Sequence, residues 1–232
     1  MKKIYNITII YSLLFALIFS ATSCGGSEAN KIKEGVITYD ISYPYFKDEM
    51  MLSFMPKEMK MEFKDNIYRN TVGNSMFETS LISNCTDSTL IMMLHIGRKF
   101  YYSELDVALT DTMVRKNGIP DIVALNTTDS VAGYLCKKYM GVFDKLNDGY
   151  DCEVYETDEI GLTNSNWCNP YRELDGVLLG YEVDQFGIQM RFLASEVKDT
   201  LVSDSVFVVP SNYKRVSLER ILYEVEELSK SI

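Results

Sequence analysis

The sequence predicts a mainly β, α+β fold: a curved antiparallel sheet, or half-barrel, of about ten or eleven strands covered by one to three helices, one of them C-terminal. Three observations predict it. Short segments alternating apolar and polar residues recur along the chain. Polar or glycine-containing turns separate them at hairpin spacing. Only the last segment carries a clean helical stripe.

Taken in order, Gly35 to Tyr43 places Ile37, Tyr39, Ile41 and Tyr43 on one face and polar residues on the other, as a half-buried strand does. Met50 to Glu58 reads as a short helical turn broken at Pro56. Met59, Met61 and Phe63 then alternate with Lys60, Glu62 and Lys64, and Asp65-Asn66 turns the chain into a partner strand over Ile67–Val72. Met76–Ser83 and Thr89–Ile96 flank the polar turn at residues 84–87. Gly97-Arg98 leads into Lys99–Ser103. Leu105–Lys116 has helical spacing and stops at Asn117-Gly118. Asp121–Thr127 is a strand, and Ala132–Val142 and Tyr150–Thr157 surround Asp148-Gly149, a hairpin signal. Asn164–Asp175 is one long irregular stretch around the lone tryptophan, Trp167. Val177–Asp184 and Ile188–Val197 form a further hairpin about residues 185–187, and Val206–Val209 is a short strand ended by Pro210. In the final helix, capped by Ser217, the residues Leu218, Ile221, Leu222, Val225 and Leu228 make the apolar stripe, with Glu224 on the solvent side.

The start of the chain sets the compartment. Lys2 and Lys3 precede an apolar run of about eleven residues, then Ser20, Ala21, Thr22 and Ser23, the order of a secretory signal. The run falls short of the roughly 20 apolar residues of a membrane span. Cys24 follows directly, where a thiol can take a diacylglycerol and acyl chains such as palmitate, and Gly25-Gly26-Ser27 opens a tether. The expectation is a lipoprotein. Residues 1–23 are a signal peptide, 24–33 the lipidated cysteine and flexible tether, and 34–232 a single domain. Ala21 stands where such signals usually carry leucine.

Residues 1–23 hold two lysines and no acid, so the mature chain keeps 21 basic side chains against 33 acidic ones and a formal charge of −12. That acidity repels a phosphate backbone, so nucleic acid is excluded as a partner. It also leaves the lipid on Cys24 as the membrane attachment, and two or more acyl chains make such attachment stable. An exported compartment permits disulfides among Cys85, Cys136, Cys152 and Cys168. Four cysteines allow three connectivities, and the spacing selects none.

Catalytic motifs are missing: no HExxH, no GxSxG, no glycine-rich phosphate loop and no zinc spacing. His95 is the lone histidine and reads as structural. No cofactor or metal is implied. Methionines gather in and beside the early strands, and a flexible, polarizable side chain suits varied apolar partners. Met59, Met61 and Phe63 on one strand and Ile188, Met190 and Phe192 on another each share a face. These six are the candidate ligand-binding residues of an apolar concavity.

The run Val131-Ala132-Gly133-Tyr134-Leu135-Cys136-Lys137-Lys138 resembles an element of uncharacterised lipoproteins from Bacteroidota. Glu34–Tyr39, Leu174–Leu179 and Val206–Lys214 extend the resemblance across the mature chain in the same order. That family is similar in architecture to the lipoprotein carriers LolA and LolB, whose curved sheet holds acyl chains in its concavity. The resemblance implies a half-barrel and an envelope location, most plainly the outer membrane on its periplasmic or surface face. It brings no catalytic residues. The expected function is non-catalytic binding of an apolar ligand such as a lipid acyl chain. The alternative is a structural or interaction component of an envelope protein complex, with a filled core and no ligand.

Overall fold

The structure, a computed structural model, describes residues 31–73, 77–116, 118–144, 149–185 and 188–230. Twelve strands form one sheet. They are β1 (Glu34–Ser42), β2 (Glu58–Lys64), β3 (Ile67–Gly73), β4 (Phe77–Asn84), β5 (Thr89–Ile96), β6 (Lys99–Leu105), β7 (Asp121–Val131), β8 (Tyr134–Val142), β9 (Asp151–Thr157), β10 (Val177–Gln185), β11 (Ile188–Asp199) and β12 (Lys214–Arg215). Their order across the sheet is β12-β6-β5-β4-β3-β2-β1-β11-β10-β9-β8-β7. β1 therefore joins two antiparallel meanders, β2 to β6 on one side and β11 to β7 on the other. The sheet is curved and unclosed, and three helices accompany it: α1 (Glu49–Leu52), α2 (Val107–Lys116) and α3 (Leu218–Lys230).

Local chemistry explains the corners. Asp65 and Asn66 both have positive φ, the two-residue hairpin form that Asn and Asp tolerate. Ala132 and Gly133 also have positive φ, at 51° and 87°. The run around Val131–Tyr134 is thus a tight hairpin, and β7 continues to Val131 rather than stopping at Thr127. Alanine in that conformation lacks the usual turn signature, so composition alone does not mark it. Asp48 caps α1 by accepting from the backbone N–H groups of Met50 and Met51.

Two other expectations are corrected. The segment expected as a strand over Val206–Val209 is a 3₁₀ turn, Asp204–Phe207, capped by the Ser203 hydroxyl. The short strand lies later, at Lys214–Arg215, parallel to β6. Glu224 is buried at 6% exposure, where Lys99 and Arg220 both reach its carboxylate. The apolar stripe that places it outside does not count the sheet edge beside the helix.

Each half of the sheet is covered differently. On β3 to β6 both faces are covered. Leu90 and Leu105 on one face pack with Leu218 of α3, while Leu81, Met92 and Leu222 join them. On the other face Ser80, Ile82 and Met93 are buried where the chain beyond β11 crosses; Arg69 donates to the Val206 carbonyl and Tyr213 meets Phe100 edge-on. The main core lies on the concave face of β1, β2 and β8 to β11.

Candidate functional site in the concave face

The ladder registers bring the predicted apolar positions onto one face. Ile37 pairs with Met61, Tyr39 with Met59 and Gly35 with Phe63; Ile41 pairs with Phe192, which faces Tyr181 on β10. Met59, Met61, Phe63 and Phe192 are each 5% exposed or less, and Ile188 and Met190 are half-buried near the β10–β11 hairpin. A side chain that a water-sized sphere barely touches borders neither an open cleft nor a hydrated void. Phe63, at 0%, is packed core. The Tyr39 hydroxyl donates to the Leu178 carbonyl at 2.9 Å and lies 3.8 Å from the Met61 sulfur, so even the polar atom here is used internally.

The occupant of the concavity is the chain itself. Between β9 and β10 the irregular segment 158–176 crosses the inner face. Its entry is tied to two hairpins: Thr163 N–H donates to Asn66 Oδ1 at 2.8 Å, and Asn164 Nδ2 donates to the Cys85 carbonyl at 3.2 Å. Tyr68 on β3 donates to the Ser165 carbonyl, and Trp167 Nε1 donates to the Ser83 hydroxyl on β4. Asn166, itself buried, gives both amide hydrogens to the carbonyls of Leu174 and Gly176, which closes the segment on itself. Tyr171 is fully buried; its ring meets Phe143 and Tyr181 edge-on and its hydroxyl donates to the Glu182 carbonyl. A Cβ on Gly141 would stand 3.3 Å from that ring, so the glycine in β8 makes room for the inserted segment. At the exit, the buried Glu156 carboxylate accepts from Gly176 N–H at 2.6 Å and from the Tyr139 hydroxyl at 2.7 Å. Burial, then that carboxylate, pushes the Tyr139 phenol up to about 12.

The irregular stretch is therefore interior, which sequence reasoning did not assign. The available signal was composition: Ile160, Leu162, Trp167, Tyr171 and Leu174 are too apolar for a surface loop.

Other candidate chemistry is structural or elsewhere. His95 stacks on Phe100 with ring centroids 4.3 Å apart, and its Nε2 lies 3.0 Å from the Gly97 carbonyl. No two of the four domain cysteines are bonded in this structure. Among the described residues no three His, Cys, Asp or Glu side chains are grouped to hold a metal, and no helix is long and apolar enough to cross a membrane. Cys24 and the signal segment lie outside the described residues.

An exposed apolar surface occupies the segment between β1 and β2. Tyr45, Met50 and Phe54 are 60%, 76% and 60% exposed. Beside them Ile41, Tyr43 and Leu52, with Glu49, Ser53 and Lys57, line an open groove of about 440 Å³. The chain enters β1 at Glu34 and leaves at Ser42, so nine residues, about 30 Å of strand, separate this surface from the end where residues 31–33 enter the fold.

No protein-family model matches the chain, and no curated protein is similar to it. Solved structures do match. A structure of PNGF-II in space group C2 aligns with a TM-score of 0.52 at 13% identity, covering 81% of this chain and 32% of that one. Its P21 form aligns with a TM-score of 0.54 at 11% identity, covering 83% and 33%. The chain spans about a third of the length of PNGF-II. At that identity the likeness is one of fold.

Proposed function

We propose that this chain is a membrane-anchored, non-catalytic envelope lipoprotein that works as an interaction component. Lipid on Cys24 holds it at the outer membrane, and the self-filled half-barrel is a rigid body. The apolar segment 43–57 receives an envelope protein partner. The observation that supports this reading is the interior occupancy: segment 158–176 and α3 take the space in which a carrier would hold acyl chains. The exposed Tyr45, Met50 and Phe54 supply the aromatic and methionine side chains that concentrate at protein interfaces.

A second reading keeps an apolar ligand and moves it from the interior to the groove beside Ile41 and Leu52. The volume of that groove falls within the usual range of about 300–1,000 Å³ for small-molecule sites.

One experiment separates them. A photo-crosslinking side chain at Met50 is activated in intact membranes of the producing cells. The interaction reading expects a discrete protein adduct that Phe54→Ser removes, with stability changed by no more than about 0.5 kcal/mol, as for other surface positions. Saturable binding of a fluorescent fatty acid by the wild type, with no protein adduct, selects the groove reading instead.

A further inference from the structure

The four thiols of the domain are not equally placed. Cys152 lies opposite Gly141 across the β8–β9 ladder, and Cys136 stands five residues earlier on β8. At about 3.3 Å per residue their Cα atoms are roughly 16 Å apart. A disulfide needs about 4.4–6.8 Å. Cys152 Sγ instead lies 3.3 Å from the Tyr171 hydroxyl.

Cys85 and Cys168 share one region of the core. Cys168 Sγ lies 3.8 Å from the Ser83 Oγ and 3.1 Å from the Tyr68 hydroxyl. Cys85, two residues past Ser83, is buried, donates its backbone N–H to the carbonyl of Asn66 beside Tyr68, and belongs to the core cluster against which Cys168 packs. The backbone around the pair is fastened too, by Asn164 Nδ2 on the Cys85 carbonyl and by Tyr68 on the Ser165 carbonyl. Two residues 83 positions apart in sequence thus bring their thiols into one region of the core around Tyr68 and Ser83.

We propose that Cys85 and Cys168 form a disulfide that fastens segment 158–176 to the β4–β5 hairpin when the chain folds in an oxidising compartment. The choice of pair rests on the geometry; the compartment rests on the export reading above. Cys168 is the more exposed of the two. Its thiolate attacks one sulfur of a small-molecule disulfide, such as oxidised glutathione, giving a mixed disulfide and releasing one glutathione, which takes up the proton. The Cys85 thiolate then attacks the Cys168 sulfur and releases the second glutathione. Two protein thiols lose two electrons and two protons, and one glutathione disulfide becomes two thiols. Burial raises both thiols once the segment is packed, Cys85 to about 12, which leaves little thiolate to react. The exchange therefore belongs to folding, before segment 158–176 settles on β4.

The test is a disulfide map. Full-length chain, unfolded and reduced, is refolded in detergent in a glutathione redox buffer, alkylated, and digested without reduction for mass spectrometry of all five cysteines. The expected result is a dominant Cys85–Cys168 peptide pair with Cys136 and Cys152 alkylated. The oxidised protein should melt about 5–15 °C above the reduced one. Cys85→Ser should abolish both the cross-link and that difference, and Cys136→Ser should keep both. A dominant bond to any other cysteine, or thiols all free after refolding, overturns the proposal, and the wild-type map gives that answer without any variant. The export reading fails separately: a bond that forms in the redox buffer and is absent from protein whose thiols are blocked at cell lysis counts against the compartment and not against the pair.

Discussion

Replacing Tyr171 tests whether the concavity is filled. This side chain is fully buried, wedged against Phe143 and Tyr181 with ring centroids 6.3 and 6.1 Å away, and bonded through its hydroxyl to the Glu182 carbonyl. Tyr171→Ala removes a whole aromatic ring from a packed site, a change that costs about 3–5 kcal/mol. Tyr171→Phe keeps the ring and removes one donor, leaving the loss of a single buried hydrogen bond, about 1–3 kcal/mol. In a domain of this size each kcal/mol lowers the melting temperature by roughly 2–4 °C. The expected falls are then about 6–20 °C for alanine and about 2–12 °C for phenylalanine. The assay is urea unfolding followed by far-ultraviolet circular dichroism and by the fluorescence of Trp167, which sits in the inserted segment itself. Coincident transitions are expected, since the segment and the sheet share one core. A cost below about 1 kcal/mol for Tyr171→Ala would refute the reasoning. The segment would then lie loosely over an open concavity, and acyl chains would have room in it.

Two more outcomes are expected, one from the structure and one from the signal sequence. The Lys99 ammonium, by its hydrogen bond, and Arg220 hold the buried Glu224 carboxyl below the ordinary glutamate value of 4.5. A carboxyl lowered by folding adds stability that is complete above its unfolded value and disappears as pH falls through its folded one. Urea midpoints for wild type and Glu224→Gln, measured from pH 7 to pH 3, should therefore converge as pH falls below about 4.5; parallel curves across that range would rule out the ion cluster as a contributor. Cys24→Ala should move the protein from the membrane to the soluble fraction of lysed cells, and unchanged membrane retention would rule out the lipid anchor.

Much of the sheet was legible because its signals are local. Alternation of Ile37, Tyr39 and Ile41, or of Met59, Met61 and Phe63, follows from the two-residue period of a strand with one buried face. Asp65-Asn66 and Gly97 turn the chain with residues that accept positive φ. The concave direction of the six candidate residues was legible for the same reason. What covers them was not. Periodicity says that an apolar face is buried, and says nothing of whether ligand, helix or loop buries it. The segment 158–176 has no period because it joins no ladder beyond a single bridge from Ile160 to Ile32; its contacts run to β3, β4 and β8, far away in sequence, as well as to β10. Ala132 and Glu224 fail for other reasons: alanine at positive φ is not a usual turn residue, and Glu224 is paired by a lysine 125 residues away that no local window contains.

The uneven covering of the sheet narrows where a partner can bind. Over β3 to β6 both faces are occupied, the concave one by α3 and the convex one by residues 200–213, so contact there would first have to displace native structure. The edge at β6 is taken by β12. On the convex side of β8 to β11 the surface carries a charge ladder. Lys138 pairs with Glu153, and Arg191 with the buried Glu182, while Tyr155 lies over Gly180 where a Cβ would clash. Such a face stays hydrated at little cost, and desolvating it without matched charges is unfavourable. The apolar segment 43–57 differs on each count. Its large side chains are already in contact with water, no hydrogen-bonded strand must be broken to reach them, and burying them removes apolar area that the free protein leaves exposed. A partner that docks there gains hydrophobic free energy while the filled core stays intact, which is why the interaction reading places its contact at this end of the sheet and not in the concavity.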